Sequence, residues 1–358
     1  MTPVSAPASA APPASSPWPA RLRGLLGTLF SLAATLLGLM FVTFIIGRVV
    51  PIDPVLAIVG ERATEAQIAA VRADLGLDLP LWQQFFIFVG NALQGDLGTS
   101  IRTGEPVLEA VSRAFPATLE LATLATIFGV IAGVPAGVLA ATRPGTLADH
   151  IVRLVGLMGY SMPVFWLGLI GLLLFYGILD WVGGPGRLDA MFEMQFQFEV
   201  TPYTGMILLD TALAGKWDMF ANALSHIILP AALLGYVSMA YISRMTRSFM
   251  MNELSQEYIT TARVKGMPEW RVIWVHAMRN VLVPLITVIA LSYAYLLEGS
   301  VLTETIFAWP GLGSYITDAL MVNDMPAVLG GTIVVGVAFV TLNLLSDLLY
   351  KLVDPRAR

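Results

Sequence analysis

The stretch 257-EYITTARVKGMPEWRVIWVHAMRN-280 is a polar, basic island between two strongly apolar runs. It holds Arg263, Lys265, Arg271 and Arg279, with Arg247 just upstream: five of the chain's twenty lysines and arginines in or beside one loop. Residues 254–265 read as a short helix, because Leu254, Tyr258 and Ala262 share one face at i, i+4 spacing. Gly266 supplies the positive-φ residue that ends such a helix, and Pro268 blocks its continuation and opens the next one. The second helix carries Val272, Val275 and Met278 or Arg279 and enters an apolar segment at Asn280. The island is thus a helix, a glycine turn and a helix. Either this knob docks on a partner, or its charges only set the topology of the chain. A nucleic-acid partner is not expected, since so short an element, anchored at both ends, has no half-site geometry to offer.

The surroundings make the anchors membrane spans. Of 358 residues, 56% are hydrophobic and 13% charged, with mean hydropathy +0.75, where a soluble domain carries about 25% charged residues. Residues 1–20 are almost entirely Ala, Pro and Ser, a composition that buries no core and is expected to be disordered. Arg21 and Arg23 then precede an uncharged run from Gly24 to Gly47, longer than a signal-peptide core and lacking a cleavage site, hence an uncleaved span. Five further windows follow at 118–142, 154–179, 223–243, 281–301 and 327–346, each about the 20 residues that a tilted helix needs. The expectation is an all-α polytopic membrane protein with six transmembrane helices.

Six spans put both termini on one side, and the basic residues choose it. With the N-terminus inside, the inner segments hold thirteen lysines and arginines and the outer ones seven, so both termini are expected in the cytoplasm. Two outer segments are long. Residues 48–117 show amphipathic helical patterning, with Ile68, Val71 and Leu75 on one stretch and Trp82, Phe85, Phe86 and Val89 on the next. Residues 180–222 are turn-rich and without clear periodicity. No internal repeat is visible, which argues against inverted halves within one chain.

Little in the chain carries chemistry. A Walker A loop needs Lys followed by Ser or Thr, whereas the three lysines precede Trp217, Gly266 and Leu352. If transport is ATP-driven, another subunit supplies the nucleotide site. With no cysteine there is no thiolate nucleophile or Cys-based metal site. His150, His226 and His276 lie far apart, no metal spacing occurs, and each reads as a helix-end or interface histidine. The sixteen methionines read as core filler. Glu298, near the outer part of span five, is a candidate for lining a pathway or for helix packing, because an acid at membrane depth must face protein or water. Asn343, near the inner end of span six, is a further candidate for the pathway or for packing, and Asp347 after it is expected in the inner interface, where a charge costs little.

The island closely resembles the EAA-type coupling loop of bacterial ABC importer permeases, in the form found in the dipeptide/oligopeptide/nickel family. The residues that carry the likeness are Glu257, Tyr258, Ile259, Thr261, Ala262, Arg263, Lys265, Gly266, His276, Ala277, Arg279, Asn280 and Pro284. Thr260 stands where the general pattern has its leading Glu, a substitution usual in the peptide branch. The blocks 73-ADLGLDLPLWQQFFIFVGNALQGDLGTSI-101, 106-PVLEAV-111, 116-PATLELA-122, 159-GYSMPVFWLG-168, 302-LTETIFAWPGLG-313 and 343-NLLSDLLYKLVDPRAR-358 extend it over nearly the whole chain after residue 24, and resemble the first of the family's two membrane subunits. Ile52-Asp53-Pro54 departs from the family's usual Gly-Asp-Pro.

The resemblance implies a type I ABC importer permease fold in the bacterial inner membrane, without enzymatic activity. Its expected partners are a homologous second permease, two ABC ATPases that bind ATP and Mg, and an extracytoplasmic substrate-binding protein. Coupling to the ATPases would fall on Glu257, Tyr258, Thr261, Ala262, Arg263, Lys265 and Gly266, within the cytoplasmic loop 244–280. The cargo would be a di- or oligopeptide, with nickel or another small solute as the alternative. A membrane-embedded enzyme or receptor is the alternative from a different class.

Overall fold

The computed structural model describes residues 18–49, 55, 63–74 and 76–353, all helix and loop apart from one isolated bridge between Thr99 and Pro106. Helix α1 runs Trp18–Val49, so it begins inside the stretch read as tail; residues 1–17, Ile52-Asp53-Pro54, Leu75 and 354–358 lie outside the described residues. Helices α2 (Glu65–Asp74) and α3 (Leu81–Leu93) occupy the patterned stretch 48–117. A reciprocal capping box starts α2, the Thr64 N–H donating to Gln67 Oε1 at 2.9 Å and the Gln67 N–H to Thr64 Oγ1 at 3.4 Å. On α3 the inward face is Phe85, Phe88 and Val89, stacked on Phe41 and Phe44 of α1 with ring centroids 5.5–5.8 Å apart, while Trp82 and Phe86 face outward.

Five described helices are long and apolar enough to cross a membrane, and a bent pair makes six if its two arms count as one broken span. Besides α1 they are α4 (Val107–Thr142), α9 (Trp217–Leu254), α12 (Met278–Gly299) and α15 (Met325–Val353). The helices extend well past the apolar windows: α4 starts before Thr118 and α9 overruns Ser243 down to the knob, because hydropathy marks hydrocarbon and not where the backbone stops coiling.

The expected third span at 154–179 is not one helix. It is α5 (Leu147–Ser161) and α6 (Val164–Gly171, continued by a π-helical stretch Leu172–Ile178), bent by 101°. The cause is local. Met162 precedes Pro163, whose ring disfavours the helical region for its neighbour, and Met162 is extended at φ −86° and ψ 134°. Pro163 then opens α6, where its missing N–H costs nothing.

Helices α4 and α9 form the most extensive pair in the molecule. Their seam is built on Gly129, Gly133 and Gly137 at four-residue spacing. A Cβ on Gly129 would sit 2.5 Å from Ser238 Oγ, and one on Gly137 would sit 2.5 Å from the Ser243 carbonyl oxygen, so the backbones touch where any side chain would hold them apart. Val138 and Ile242 continue this seam into a core shared with α12.

The turn-rich segment 180–222 contains α7 (Ala190–Glu199) and α8 (Ile207–Leu213). Residues 192–198 alternate apolar and polar as a strand would, yet they coil: Phe192 and Phe196 at i, i+4 pack towards Leu188, Ile207 and Ala223, while Met194 and Phe198 are exposed. After α12 the chain makes α13 (Val301–Ile306) and α14 (Leu312–Met321) around a fully buried carboxylate. Glu304 accepts hydrogen bonds from Thr118 Oγ1 (2.6 Å), Ser300 Oγ (2.9 Å) and the Ser314 N–H (2.8 Å). Thr118 in turn accepts from the Leu312 N–H at 2.8 Å, and Trp309 Nε1 donates to the Ala117 carbonyl at 3.0 Å, which ties the turn to α4. A second buried acid, Glu120, accepts from Arg187 (2.7 Å) and the Leu208 N–H (2.8 Å), joining the 180–222 segment to the same helix.

Candidate functional site

The knob begins where α9 stops. Ser255 breaks that helix, and α10 (Glu257–Val264) follows; Leu254 therefore belongs to α9 and not to the knob helix, a correction to the expected start at 254. Gly266 sits at φ +77°, the left-handed turn expected of it, and α11 (Glu269–Arg271) leads through a π-helical stretch Val272–Ala277 into α12. The buried face of α10 is Ile259 with Ala262, packed in the cluster of Met250, Val272, Ala277 and Met278. Tyr258 lies at the edge of that face and is 40% exposed. Glu257, Thr261, Arg263, Lys265 and Gly266 are exposed, as is Val264 at 83%.

A polar clamp fixes the knob to the helices on either side. Tyr258 donates to Glu253 Oε1 at 2.5 Å, and Asn280 Nδ2 donates to Glu253 Oε1 at 2.8 Å and to the Tyr258 hydroxyl at 3.0 Å. Three residues thus join the end of α9, the knob helix and the start of α12. Burial, and after it the bond to the Glu253 carboxylate, pushes the Tyr258 hydroxyl up to about 12, so it stays a donor. Across the glycine turn, Arg263 meets Glu269 through two contacts of 2.9 and 3.3 Å, both side chains exposed and therefore weakly stabilising. A second clamp joins α5 to α9. Asp149, 1% exposed, accepts from Arg247 Nε (2.8 Å) and Nη2 (3.0 Å) and from the Gly145 N–H (3.0 Å). This bidentate pair pins the loop after α4 to α9.

Between α5 and α9 opens a cavity of about 690 Å³, lined among others by His150, Arg153, Tyr160, Arg244 and Arg247. A second, of about 500 Å³, sits where α5 turns into α6 and is lined by Tyr160, Met162, Pro163, Tyr241, Ser292 and Tyr295 among others. Tyr160 belongs to both. The bend at Met162–Pro163 creates the second cavity, since a straight helix would continue past it.

The other expected residues are scattered. Glu298 lies in the last turn of α12, and its side chain, like that of Asp347, is outside the described set. Asn343 is half-buried on α15, remote in sequence from the knob and both cavities. His150 lines the larger cavity, His276 lies in the π-helical stretch, and His226 is buried with Nδ1 2.8 Å from the Gly184 carbonyl oxygen. Among the described residues, no three His, Asp or Glu side chains come together as a metal site would require. Sequence reasoning did not single out Glu253, Asp149 or Tyr160. Glu253 and Asp149 carried a readable signal, each being an acid beside the basic island or its flank.

Comparison with known proteins places this architecture. Residues 133–358 match the family described as binding-protein-dependent transport system inner membrane component, and residues 21–122 match the corresponding N-terminal region. The chain is 45% identical to the probable D,D-dipeptide transport system permease protein DdpB of Escherichia coli, over 91% of this chain and 95% of that protein. It is 44% identical to the di/tripeptide transport system permease protein DppB of Pseudomonas aeruginosa, over 91% and 96%. The fold resembles a chain of the MetNI methionine ABC transporter in an inward-facing conformation, with TM-score 0.50 and 17% identity over 69% of this chain and 97% of that one. The chain is a multi-pass membrane protein and belongs to the family of inner-membrane components of binding-protein-dependent transport systems.

Proposed function

We propose that this chain is the permease subunit of an ATP-driven peptide importer, forming the pathway with a homologous second permease and carrying no catalysis of its own. The observation that carries the reading is its 44–45% identity, over about nine-tenths of its length, to permeases named for dipeptide and di/tripeptide transport. Two ABC ATPases bind the ATP and Mg, and an extracytoplasmic binding protein delivers the cargo. The knob is the contact with an ATPase. Its clamped base supports this, because a lever must be rigid where it joins the spans, and the Glu253–Tyr258–Asn280 bonds brace it there. Both termini lie in the cytoplasm, in keeping with the basic residues around the knob.

The chain has no native cysteine, so a single introduced thiol reports orientation cleanly. Val264→Cys on the exposed knob should react with a membrane-impermeant maleimide in inside-out vesicles and not in intact cells; labelling in intact cells refutes the topology. For function, the complex with its second permease, two ATPases and binding protein is reconstituted into proteoliposomes. ATP-dependent accumulation of a labelled dipeptide is expected, and accumulation of nickel in its place refutes the peptide reading.

A further inference from the structure

The two arginines that face the larger cavity from α9 are in opposite electrostatic situations. Arg247 has spent Nε and Nη2 on Asp149. Arg244, one turn earlier and lining the same cavity, has no acidic partner among the described residues. Its guanidinium lies over two tyrosine faces instead, 5.0 Å from the Tyr160 ring centre and 5.9 Å from that of Tyr241. Ring faces attract the cation without consuming its N–H donors. Arg244 follows the apolar window of its span by one residue and precedes the end of α9 by ten, about 15 Å along the axis at 1.5 Å per residue. A permanently charged group with no acidic partner among the described residues, its donors left free by the ring faces, is poised for a mobile anion. Arg153 lines the same cavity and adds to its positive field. The adjoining cavity differs in character: Tyr160, Tyr241, Tyr295, Ser238 and Ser292 line it, and no charged residue does.

We propose that Arg244, held between Tyr160 and Tyr241, is a specificity-determining residue of the pathway that takes the terminal carboxylate of a peptide in transit. The assignment rests on the peptide reading above. A carboxylate matches the guanidinium fork and is the group every unmodified peptide shares. The uncharged chamber next to it receives the variable part through ring faces and hydroxyls, so one fixed cation serves many sequences. Both cavities fall in the volume range of small-molecule sites, roughly 300–1,000 Å³.

The test measures binding of tritiated Ala-Ala and of its C-terminal amide to the purified, nucleotide-free complex without binding protein. The wild type is expected to prefer the free acid about tenfold, the value of one lost charge-assisted contact. Arg244→Gln, in complexes shown intact by gel filtration, should abolish the preference, and Arg244→Lys should retain part of it. Tyr160→Leu, which leaves the charge in place and removes one supporting ring, should weaken acid binding less than Arg244→Gln. A preference that persists in Arg244→Gln overturns the assignment, as does wild-type binding too weak to measure at about 10 mM peptide. Saturating phosphatidylglycerol should leave Ala-Ala binding unchanged; displacement by it assigns Arg244 to lipid headgroups instead. Uptake of nickel with no peptide uptake sinks the peptide reading itself, whereas peptide uptake with an unaltered acid preference in Arg244→Gln sinks only the role of Arg244.

Discussion

A methyl group added at Gly311 tests the buried Glu304 site. Gly311 has φ −94° and ψ 179°, backbone that any residue adopts, so Gly311→Ala probes space alone. Its Cβ would lie 2.4 Å from the Glu304 carboxyl carbon and from Oε1, and it cannot share the site with the carboxylate. Glu304 must swing out, abandoning Thr118, Ser300 and the Ser314 N–H and leaving that N–H buried. Orphaning a buried donor costs about 1–3 kcal/mol, and overpacking a further 1–3 kcal/mol, so the sum is about 2–6 kcal/mol. Glu304→Ala forfeits the same bonds and should cost about the same. The double variant is the decisive measurement: with the carboxylate gone the methyl has room, and the pair should cost little more than Glu304→Ala alone, a coupling nearly as large as the whole cost of Gly311→Ala. The assay is thermal unfolding of the purified chain in detergent followed by tryptophan fluorescence, in which about 3 kcal/mol corresponds to roughly 6–12 °C for a domain of 150–250 residues. Additive shifts in the double variant would refute the reasoning, because they would mean that Gly311 and Glu304 do not compete for one volume.

Further outcomes follow from the knob and its flank. Gly266→Ala meets no neighbour within 4 Å but is forced to φ +77°; it should destabilise the turn by about 1–2 kcal/mol and lower binding-protein-stimulated ATP hydrolysis in the reconstituted complex, while Gly266→Asn should be milder. Asp149→Asn removes the charge that satisfies Arg247 and should cost about 3–5 kcal/mol, seen as faster proteolysis of the loop after α4. The Tyr258 pKa is raised in the folded chain, so its contribution is fully present below the unfolded value near pH 10 and is lost as pH climbs towards about 12. In spectrophotometric titration Tyr258→Phe should remove one tyrosine's amplitude from the late-ionising part of the curve; an unchanged late part counts against the clamp.

Much of the fold was legible because membrane solvation is a coarse filter: a run of apolar residues about as long as the hydrocarbon is thick has few options besides a helix. Gly266 was legible for a similar reason, since few other residues fit its backbone. The failures have specific causes. Hydropathy passed through Met162–Pro163 without a mark, because a bend leaves both arms apolar, and only the pre-proline restriction betrays it. Helix α7 went unmarked, because apolar residues at 192, 194, 196 and 198 show no clear helical period and the contacts of Phe192 and Phe196 decide the coil. Leu254 matched the knob helix in spacing, yet Ser255 assigns it to α9. Tyr258 was expected on one face with Leu254 and Ala262, yet Ile259 takes the buried position and Tyr258 lies at its edge; its bonds to Glu253 and Asn280 depend on two other helices, and no local period encodes a meeting of three. The Glu304 site was hidden likewise, as its donors come from residues 118, 300 and 314.

The glycine seam between α4 and α9 limits how this molecule can change shape. Notches four residues apart index one helix against the other as teeth index a rack. A slip of one residue would carry Ser238 and the Ser243 carbonyl out of their recesses and into neighbouring side chains. The two longest helices therefore travel together as one strut of 38 residues, about 57 Å at 1.5 Å per residue. Bending of the pair is then confined to the interior prolines of the two helices, Pro116, Pro135 and Pro230, and beyond them to the π-helical joints of residues 172–178 and 272–277.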